Sequence, residues 1–322
     1  MGTCCSNDLQ TKVDPKEADL HIVKERERVY NSSNKVNATR HNIKDFNKFK
    51  ETVHKIQTDN DITNQLYEKE GPYNYKERLM NDQVERELRE FQPVDNEMQY
   101  YGFWNIKTGE RDGCGVMVWP DGSRYDGMWK DGKANGEGRL IHADGDIYEG
   151  NWVDGKANGK GKYLHQDEAT YNGEWLDDKQ HGKGYETWPD SSKYIGSYIN
   201  GMKEGRGKFT WADGSKYEGE FFGNNIHGRG TYIWVDGRQY TGEWKENKMH
   251  GEGVFTWPDG KRYTGHYIED KKHGYGVMEW PDGRRYEGEW KNGKQNGKGS
   301  YTMTDGQTRI SEWKNGKELI EE

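Results

Sequence analysis

Over most of the chain, apolar and polar residues alternate one by one. In residues 216–221, Tyr217, Gly219 and Phe221 are separated by charged residues. Successive side chains of a β-strand point to opposite faces, so this segment is predicted to be a strand with one aromatic-glycine face and one charged face. Residues 230–234 alternate in the same way. A helix is not expected here, because each interior glycine would cost it about 1 kcal/mol.

The alternating unit returns every 23 residues, which identifies it as an internal repeat. The first glycine of a Gly-x-Gly pair recurs at Gly113, Gly136, Gly159, Gly182, Gly205, Gly228, Gly251, Gly274 and Gly297. The tyrosine that opens a Tyr-x-Gly-x-aromatic motif recurs at Tyr125, Tyr148, Tyr171, Tyr194, Tyr217, Tyr240, Tyr263 and Tyr286. An earlier copy opens at Tyr100, offset by a two-residue insertion within residues 105–112. Each repeat is therefore predicted to contribute two short strands.

The turns between these strands predict a meander. Residues 258–261 carry the Asp-Gly signal of a tight hairpin, whereas the other turn, as in residues 131–136, is predicted to be longer. Residues 167–168 and 190–191 lack the hairpin glycine, so we expect different turns and a local bend there. Short turns join antiparallel neighbours. About 18 strands spaced about 4.8 Å apart would form an elongated single-layer sheet on the order of 85 Å long.

Glycine explains how the predicted aromatic face packs. A ring that lies flat on a sheet needs neighbours without side chains, and Gly219 and residues 228–230 offer that space. We expect twist and curvature to make the rings line a shallow trough, with the chain's own helices or a second copy covering the rest. The predicted aromatic binding or packing face consists of Tyr125, Trp129, Tyr148, Trp152, Tyr171, Trp175, Tyr194, Tyr198, Tyr217, Phe221, Tyr240, Trp244, Tyr263, Tyr267, Tyr286 and Trp290.

Composition changes sharply near residue 99. Of the 43 glycines only Gly2 and Gly71 precede residue 100, and all 13 tryptophans follow it. Hydrophobic residues make up only 30% of the chain and the mean hydropathy is −1.30, which disfavours a thick core. The predicted organisation is an acylation motif with a disordered terminus over 1–13, a polar helical extension over 14–99, a repeat array over 100–308 and a degenerate C-terminal cap over 309–322.

Two segments of the extension place apolar residues at helical spacing. The first stripe consists of Ile43, Phe46, Phe49, Val53 and Ile56. The second, in a helix predicted over residues 75–91 and ended by Pro93, consists of Met80, Val84, Leu88 and Phe91. Such a helix either packs on the neighbouring sheet or docks on a partner protein.

The first six residues fit the N-myristoylation pattern, with Gly2 after the first methionine and Ser6 four residues further on. One myristoyl chain binds a membrane with an association constant of only about 10⁴ M⁻¹, so stable anchoring needs a second signal. Cys4 and Cys5 lie where palmitoylation would supply that signal. We therefore predict lipidation of Gly2, Cys4 and Cys5. The alternative is a chance match in an ordinary disordered terminus.

Charge and cysteine content argue against several classes of protein. The net charge of −8 offers no basic footprint for nucleic acid. Three cysteines, two of them adjacent, make no disulfide framework, which indicates a reducing compartment. No stretch approaches the roughly 20 apolar residues that span a bilayer, and no secretory segment follows Met1.

No residue pattern predicts catalysis or metal binding. A histidine precedes the Gly-x-Gly glycine at His181, His227, His250 and His273. Copies in adjacent repeats would lie about 9–10 Å apart, too far to share a zinc ion, so we interpret them as turn residues. Turn chemistry also accounts for the recurring Asp213, Asp236, Asp259 and Asp282. We predict no catalytic residue, no metal site, no cofactor and no small-molecule substrate.

The Tyr-x-Gly-x-Trp, Gly-x-Gly and Asp-Gly motifs at this period resemble MORN (membrane occupation and recognition nexus) repeats. The resemblance covers about Tyr100 to Trp313 and implies an all-β meander of about nine β-hairpin repeats. Similar proteins include radial-spoke head subunits of motile cilia, junctophilins, protist cortical scaffolds and plant phosphatidylinositol-phosphate kinases. The enzymes among them carry a separate catalytic domain, for which this sequence shows no motif, since its Gly-x-Gly pairs are hairpin glycines rather than a nucleotide loop.

The resemblance implies a non-enzymatic scaffold or adaptor that binds cytoskeletal or axonemal proteins, or a second copy of itself, in the cilium, axoneme or cell cortex. The alternative is an acyl-anchored organiser on the cytoplasmic side that links a membrane to cytoskeletal partners. A third hypothesis is direct phospholipid binding by a basic rim, which the negative charge of the repeat region weakens. That rim consists of Lys156, Lys160, Lys162, Lys179, Lys183, Lys203, Arg206 and Lys208.

Overall fold

A computed structural model describes residues 40–76, 84–94 and 97–319. The chain divides into two compact units, residues 1–45 and residues 46–322, and only residues 40–45 of the first unit are described. Gly2, Cys4 and Cys5 lie outside the described residues, so their lipidation stays a prediction.

Two helices and a 21-stranded antiparallel sheet make up the described chain. The helices are α1 (Arg40–Val53) and α2 (Asp61–Glu70). The strands are β1 (Arg86–Pro93), β2 (Gln99–Asn105), β3 (Arg111–Val118), β4 (Arg124–Lys130), β5 (Lys133–Ile141), β6 (Ile147–Val153), β7 (Lys156–Leu164), β8 (Thr170–Leu176), β9 (Lys179–Thr187), β10 (Lys193–Ile199), β11 (Met202–Thr210), β12 (Lys216–Phe222), β13 (Asn225–Ile233), β14 (Gln239–Lys245), β15 (Lys248–Thr256), β16 (Arg262–Ile268), β17 (Lys271–Glu279), β18 (Arg285–Lys291), β19 (Lys294–Thr302), β20 (Thr308–Lys314) and β21 (Lys317–Leu319).

Each strand pairs with the next strand along the chain, which confirms the predicted single-layer meander. The last strand, β21, is short and follows a repeat in which Ser311 replaces the usual glycine. Short, charged edge strands discourage pairing with another chain. Neither described helix is both long and apolar enough to cross a bilayer.

Part of the first predicted helical stripe is confirmed in α1, where Phe46, Phe49 and Val53 are buried, whereas Ile56 is buried beyond the end of the helix. The prediction of a helix over residues 75–91 is wrong from Arg86 onwards, because that part forms β1 and pairs with β2. The free edge of β2 offers a row of backbone hydrogen bonds, and tertiary context of this kind overrides a short amphipathic pattern.

The two kinds of turn are the reverse of the predicted lengths. Residues 131–132 form a two-residue turn in which both φ angles are positive, 48° and 75°, as in a type I′ hairpin. The prediction of a longer turn over residues 131–136 is therefore wrong, since residues 134–136 belong to β5. The Asp-Gly turns are the longer ones. In residues 234–238, the amide of Gly237 donates to the carbonyl of Trp234, and Gly237 has a φ of 86°.

The prediction of different turns at residues 167–168 and 190–191 is also wrong. Glu168 and Ser191 occupy the glycine position with a φ of 71° each. The amide of Glu168 donates to His165 at 2.9 Å, which is the bond that Gly237 makes in its own turn. The preceding aspartate accepts a hydrogen bond from the amide two residues further on, as it does in the other turns. This Asx geometry holds the turn without glycine.

Glu168→Gly and Ser191→Gly should each raise the free energy of unfolding by about 1 kcal/mol. The left-handed conformation costs a residue with a Cβ about 1–2 kcal/mol. Glycine avoids this cost, but it loses more backbone entropy on folding, which offsets part of the gain. Chemical denaturation of the two variants measures the gain. Gly214→Ser is the matched control and should lose a similar amount, since Gly214 has a φ of 91° and an added Cβ there would meet nothing within 4 Å. Unchanged stability in all three variants would contradict this explanation of the turn.

The sheet has two faces of different character. The ring face carries the aromatic side chains of the Tyr-x-Gly-x-aromatic motifs, which form one buried cluster along the sheet. The opposite face, here called the groove face, carries the intervening residues such as Glu218 and Glu220. Over β2 to β7 the groove face is covered by residues of the 46–76 segment, in two further clusters. The helical segment therefore covers the face opposite to the rings, which contradicts the expectation that helices would cover the aromatic face.

Candidate functional site

Each tyrosine that opens a Tyr-x-Gly-x-aromatic motif lies on two glycines in neighbouring strands. Gly219 pairs with Gly230, and the ring of Tyr217 lies over both. A Cβ at Gly230 would lie 2.5 Å from Cζ of Tyr217, a distance that Cβ atoms do not adopt. These glycines are required because the ring takes the space of their side chains, as the sequence predicted for Gly219.

The two glycines of each Gly-x-Gly pair serve different purposes. Gly228 has a φ of 62° and lies where the register of β12 and β13 shifts, so it forms a β-bulge that favours glycine. The Tyr217 hydroxyl donates to the Glu220 carbonyl beside this bulge at 3.0 Å. Burial raises the pKa of Tyr217, so the hydroxyl stays a neutral donor. Within this pair, only the second glycine, Gly230, makes room for the ring.

The rings form a continuous ladder across the repeats. Tyr217 meets Phe221 of its own strand edge-on at 5.2 Å and Trp244 of the next repeat at 5.7 Å. Every residue of the predicted aromatic face is at most 9% exposed and lies in the same cluster. With that burial these side chains pack the sheet and leave little surface for a partner.

A groove of about 1480 Å³ lies on the groove face over β8 to β17. Its floor is a line of paired glycine backbone that runs across the strands, for example Gly207, Gly219 and Gly230. The prediction that rings line the trough is wrong. Since the glycine backbone leaves no side chain on either side, the rings fill one face and the other face stays open.

Two rows of side chains flank the glycine floor. In the first row, uncharged residues occupy five successive strands, with each residue paired to the next: Thr231, Thr241, Val254, Thr264 and Val277. The second row is charged. It includes Arg229, which pairs with Glu243 at 3.4 Å, and Glu252, which lies 3.6 Å from His266. The groove therefore offers a narrow uncharged track beside a polar one, which suits an amphipathic segment.

The other end of the groove, over β9 to β11, combines exposed apolar and basic side chains. Ile195 is 58% exposed and Tyr185 is 42% exposed, and the two are paired across the strands. Lys183, Arg206 and Lys208 line the same end. The remaining lysines of the predicted basic rim do not line the groove, so the structure does not bring that rim together.

The same face is occupied by the chain itself over the first repeats. Phe49 stacks on Tyr101 at 5.5 Å with an interplanar angle of 9° and contacts Phe103 at 5.6 Å. Further along, Tyr67 of α2 is buried in a cluster with Ile141 and Ile147. Partly buried Leu164 of β7 packs on that cluster, and the groove begins at Asn172 of β8. The open groove thus starts where the chain's own cover ends.

Arg124 anchors this cover and is 1% exposed. Its guanidinium donates to the carbonyl of Ile56 at 2.6 Å and to that of Val53, at the end of α1, at 3.1 Å. It also pairs with Asp126 at 2.7 Å, and Asp126 accepts the hydroxyl proton of Tyr75 at 3.0 Å. The sequence did not predict this role of Arg124 and Asp126. Arginine also occupies the same position in two later repeats, at Arg262 and Arg285, so Arg124 does not stand out from the repeat pattern.

Among the described residues no cluster of His, Cys, Asp and Glu could hold a metal ion. The recurring histidines lie in strands beside the bulges, not in turns as predicted, and His227 faces Glu220 across the strands. His181 and His250 also face a glutamate across the strands, whereas His273 faces His266, so these histidines are cross-strand partners in the sheet. The recurring aspartates accept backbone hydrogen bonds within their turns, as in Asp259 with the amide of Lys261 at 3.1 Å.

Lys272 and Lys203 occupy the same position of two repeats but have different partners. The Lys203 ammonium pairs with Glu186 at 2.7 Å. The Lys272 ammonium lies over the rings of Tyr263 and Trp290, at 4.7 and 4.8 Å from the centroids, and forms no ion pair with a described residue. Burial lowers the pKa of Lys272 to about 8.

Lys272→Met should raise the free energy of unfolding at pH 7 by about 2 kcal/mol, because a partly buried cation without a carboxylate is replaced by a thioether. Met249 holds the same position one repeat earlier. Since the folded pKa lies below the usual 10.5, the wild type gains stability as the pH rises from about 8, and the advantage of the variant disappears near pH 10.5.

Chemical denaturation at pH 7 and pH 10 measures both effects. Lys203→Met is the matched control and should lose stability, because it leaves the Glu186 carboxylate without its cation and only the Tyr198 hydroxyl as a donor. Equal responses of the two variants would contradict this explanation.

A model of the MORN repeat matches nine segments of the chain, at residues 107–124, 125–147, 148–169, 171–193, 194–216, 217–237, 240–262, 263–284 and 286–308. No curated protein sequence matches the chain. Among solved structures, the TCP10 domain of CPAP from Danio rerio is 15% identical, with 64% of this chain and 97% of that chain covered and a TM-score of 0.36. The G-box domain of the microcephaly protein CPAP is 14% identical, with 63% of this chain and 100% of that chain covered and a TM-score of 0.35. At these scores neither likeness carries an inference about this chain.

Proposed function

The chain belongs to the MORN-repeat family, and on that premise we propose that it is a non-enzymatic scaffold that binds another protein in the open groove over β8 to β17. The observation that carries the proposal is that the groove face has a covered part and an open part. The chain's own segment covers the face over β2 to β7, and the same face is open further on. The family's repeats are a non-catalytic scaffold.

The residues of the groove support a protein partner. Threonine and valine along the first row, beside the charged second row, match the two sides of an amphipathic segment. The covered part of the face is more apolar, with Tyr101, Phe103 and Val116 fully buried beneath Phe49. Exposing the open part to water when no partner is bound therefore costs less free energy than exposing the covered part would.

One variant with two charge substitutions, here called the groove variant, tests this proposal. Thr241→Arg and Thr264→Arg together place two bulky cations in the groove at exposed positions, so folding should not suffer. Ile310→Arg is the matched control, since Ile310 continues the same row beyond the groove and is 82% exposed. Affinity purification from cell extract should recover a stoichiometric protein with the wild type and the control but not with the groove variant. Equal recovery with all three, or no reproducible partner, would contradict the proposal.

We further propose that acylation of Gly2, with Cys4 or Cys5, tethers this scaffold to a membrane. The motif at residues 1–6 supports the proposal. Gly2→Ala should move the protein from the membrane fraction to the supernatant, because removal of the myristoyl chain also removes the membrane contact that precedes palmitoylation. Thr3→Ala is the matched control and should fractionate like the wild type, because it leaves Gly2 and Ser6 of the motif in place. Identical fractionation of Gly2→Ala and the wild type would rule the tether out.

The place of action that we propose is the cilium, axoneme or cell cortex, on the cytoplasmic side. The support is the cysteine content together with the scaffold character of the repeats. Microscopy of a tagged protein with and without Gly2 tests this, and a uniform distribution of both forms through the cytosol would contradict it.

A further inference from the structure

A row of tryptophans runs along the ring face where the strands meet the Asp-Gly turns. The row, here called the tryptophan strip, consists of Trp188, Trp211, Trp234, Trp257 and Trp280. Each indole is partly exposed. This separates the strip from the tryptophans of the ring ladder, which are buried.

Stacking holds the strip in a fixed geometry. Phe209 lies between Trp188 and Trp211, with centroid distances of 5.3 and 4.6 Å. Tyr232 lies in the same way between Trp211 and Trp234, at 4.9 and 4.5 Å. Each tryptophan amide also donates to the residue four positions further on, at 2.9–3.0 Å. The rings are therefore pre-ordered, and a ligand would not have to immobilise them.

The indole N–H groups of the strip are free donors. None of the five makes a hydrogen bond with a described residue, and none is among the buried atoms without a partner. The buried tryptophans differ, since Trp244 donates to the carbonyl of Gly230 at 3.2 Å and Trp290 to that of Gly276 at 3.1 Å. The strip thus presents a regular series of donors that are available to the backbone carbonyls of a ligand.

The spacing of the strip selects the conformation of that ligand. Successive tryptophans lie two strands apart, which is about 9.6 Å. A polyproline II helix repeats every three residues at about 3.1 Å each, or about 9.3 Å per turn, and leaves its carbonyls unbonded. An α-helix has a pitch of about 5.4 Å, and two of its turns, about 10.8 Å, overshoot the spacing. A β-strand repeats its facing side chains at about 6.6 Å and also fails to match.

Charge favours one end of the strip. At Trp234 and Trp280 the turn aspartates are neutralised, by Arg238 at 2.7 Å and by Arg284 at 2.8 Å. Asp190 and Asp213, beside Trp188 and Trp211, form no ion pair with a described residue and accept hydrogen bonds from Ser192 and Ser215 of their own turns. The Lys203 ammonium lies over Trp188 but is already paired with Glu186. A basic residue of the ligand fits this acidic end.

We propose that the tryptophan strip binds a proline-rich segment in the polyproline II conformation, with a basic residue at the end that lies over Trp188 and Trp211. This surface lies on the opposite face to the groove, so the inference does not rest on the proposed function. Phe209, Tyr232 and Phe255 fill the spaces between the indoles, so the prolines would pack on the ring edges while the free N–H groups donate to the ligand carbonyls.

The test is fluorescence anisotropy of the full chain with a labelled peptide of about ten residues, one arginine followed by prolines. We expect binding, and at least about tenfold weaker binding of a peptide in which glycine and serine replace the prolines, because that chain is not pre-organised. Replacing the arginine by glutamate should also weaken binding. No binding of the proline peptide, or equal binding of the glycine-serine peptide, would overturn the proposal.

Matched variants locate the site. Trp211→Phe together with Trp234→Phe keeps the rings but removes two donors, and should weaken binding about tenfold. Trp244→Phe removes a donor that is already bonded to Gly230, and should leave the affinity unchanged. The groove variant with Thr241→Arg and Thr264→Arg should also bind the peptide normally. Wild-type affinity in the strip variant, or loss of binding in the groove variant, would show that the peptide binds elsewhere.

Discussion

Replacing Gly230 by alanine should lower the free energy of unfolding by about 3 kcal/mol, at the upper end of the range for overpacked sites. The added Cβ would lie 2.5 Å from Cζ of Tyr217, whose ring is fully buried and contacts Phe221 and Trp244. The ring cannot move without breaking the contacts of two repeats. Chemical denaturation measures the loss.

Gly214→Ala is the control for this prediction. Gly214, unlike Gly230, adopts a positive φ, 91°, and an added Cβ there would meet nothing within 4 Å. The control should lose only the cost of the left-handed conformation, about 1–2 kcal/mol. If Gly230→Ala were as stable as Gly214→Ala, the close approach of ring and glycine would not be what holds the sheet.

Arg124→Met should cost about 4 kcal/mol, the usual effect of breaking a buried ion pair. It leaves the Asp126 carboxylate, which is fully buried, without its cation. It also removes the donors to the carbonyls of Val53 and Ile56 at the end of α1. We expect the 46–76 segment to leave the groove face first, which hydrogen exchange of α1 would detect before global unfolding.

The double variant Arg124→Met with Asp126→Leu distinguishes the ion pair from packing. Because both charges are then absent, more than half of the lost stability should return. If the double variant were less stable than Arg124→Met alone, the cost of burying the unpaired Asp126 carboxylate would not explain the stability lost in Arg124→Met.

The repeat unit, its two strands and the role of Gly219 could be predicted from the sequence, because alternation with period two fixes which residues share a face. The turn lengths could not be assigned correctly. The Asp-Gly signal was interpreted as the tight turn, but its glycine occupies the fourth position of a longer loop, as in residues 234–238. Dipeptide signals do not settle which of two hairpin types forms.

The candidate site was harder to predict than the fold. Alternation shows that rings share one face, but not which face the sheet leaves open, since that depends on where the helical segment packs. One signal was present in the sequence. Thr231, Val254 and Val277 recur every 23 residues on the polar face, and uncharged β-branched residues at that position mark a surface that is not simply solvated.

The division of the groove face into a covered and an open part is tested most directly by cysteine labelling. Val116→Cys lies beneath the chain's own segment, Thr241→Cys lies in the open groove and Ile310→Cys lies beyond it. In the purified chain the cysteines at 241 and 310 should react rapidly and the one at 116 slowly. In the assembly isolated from cells, labelling at 241 should fall several-fold while labelling at 310 stays fast. Slow labelling at 241 in the purified chain, or equal rates at 241 in both states, would contradict the account.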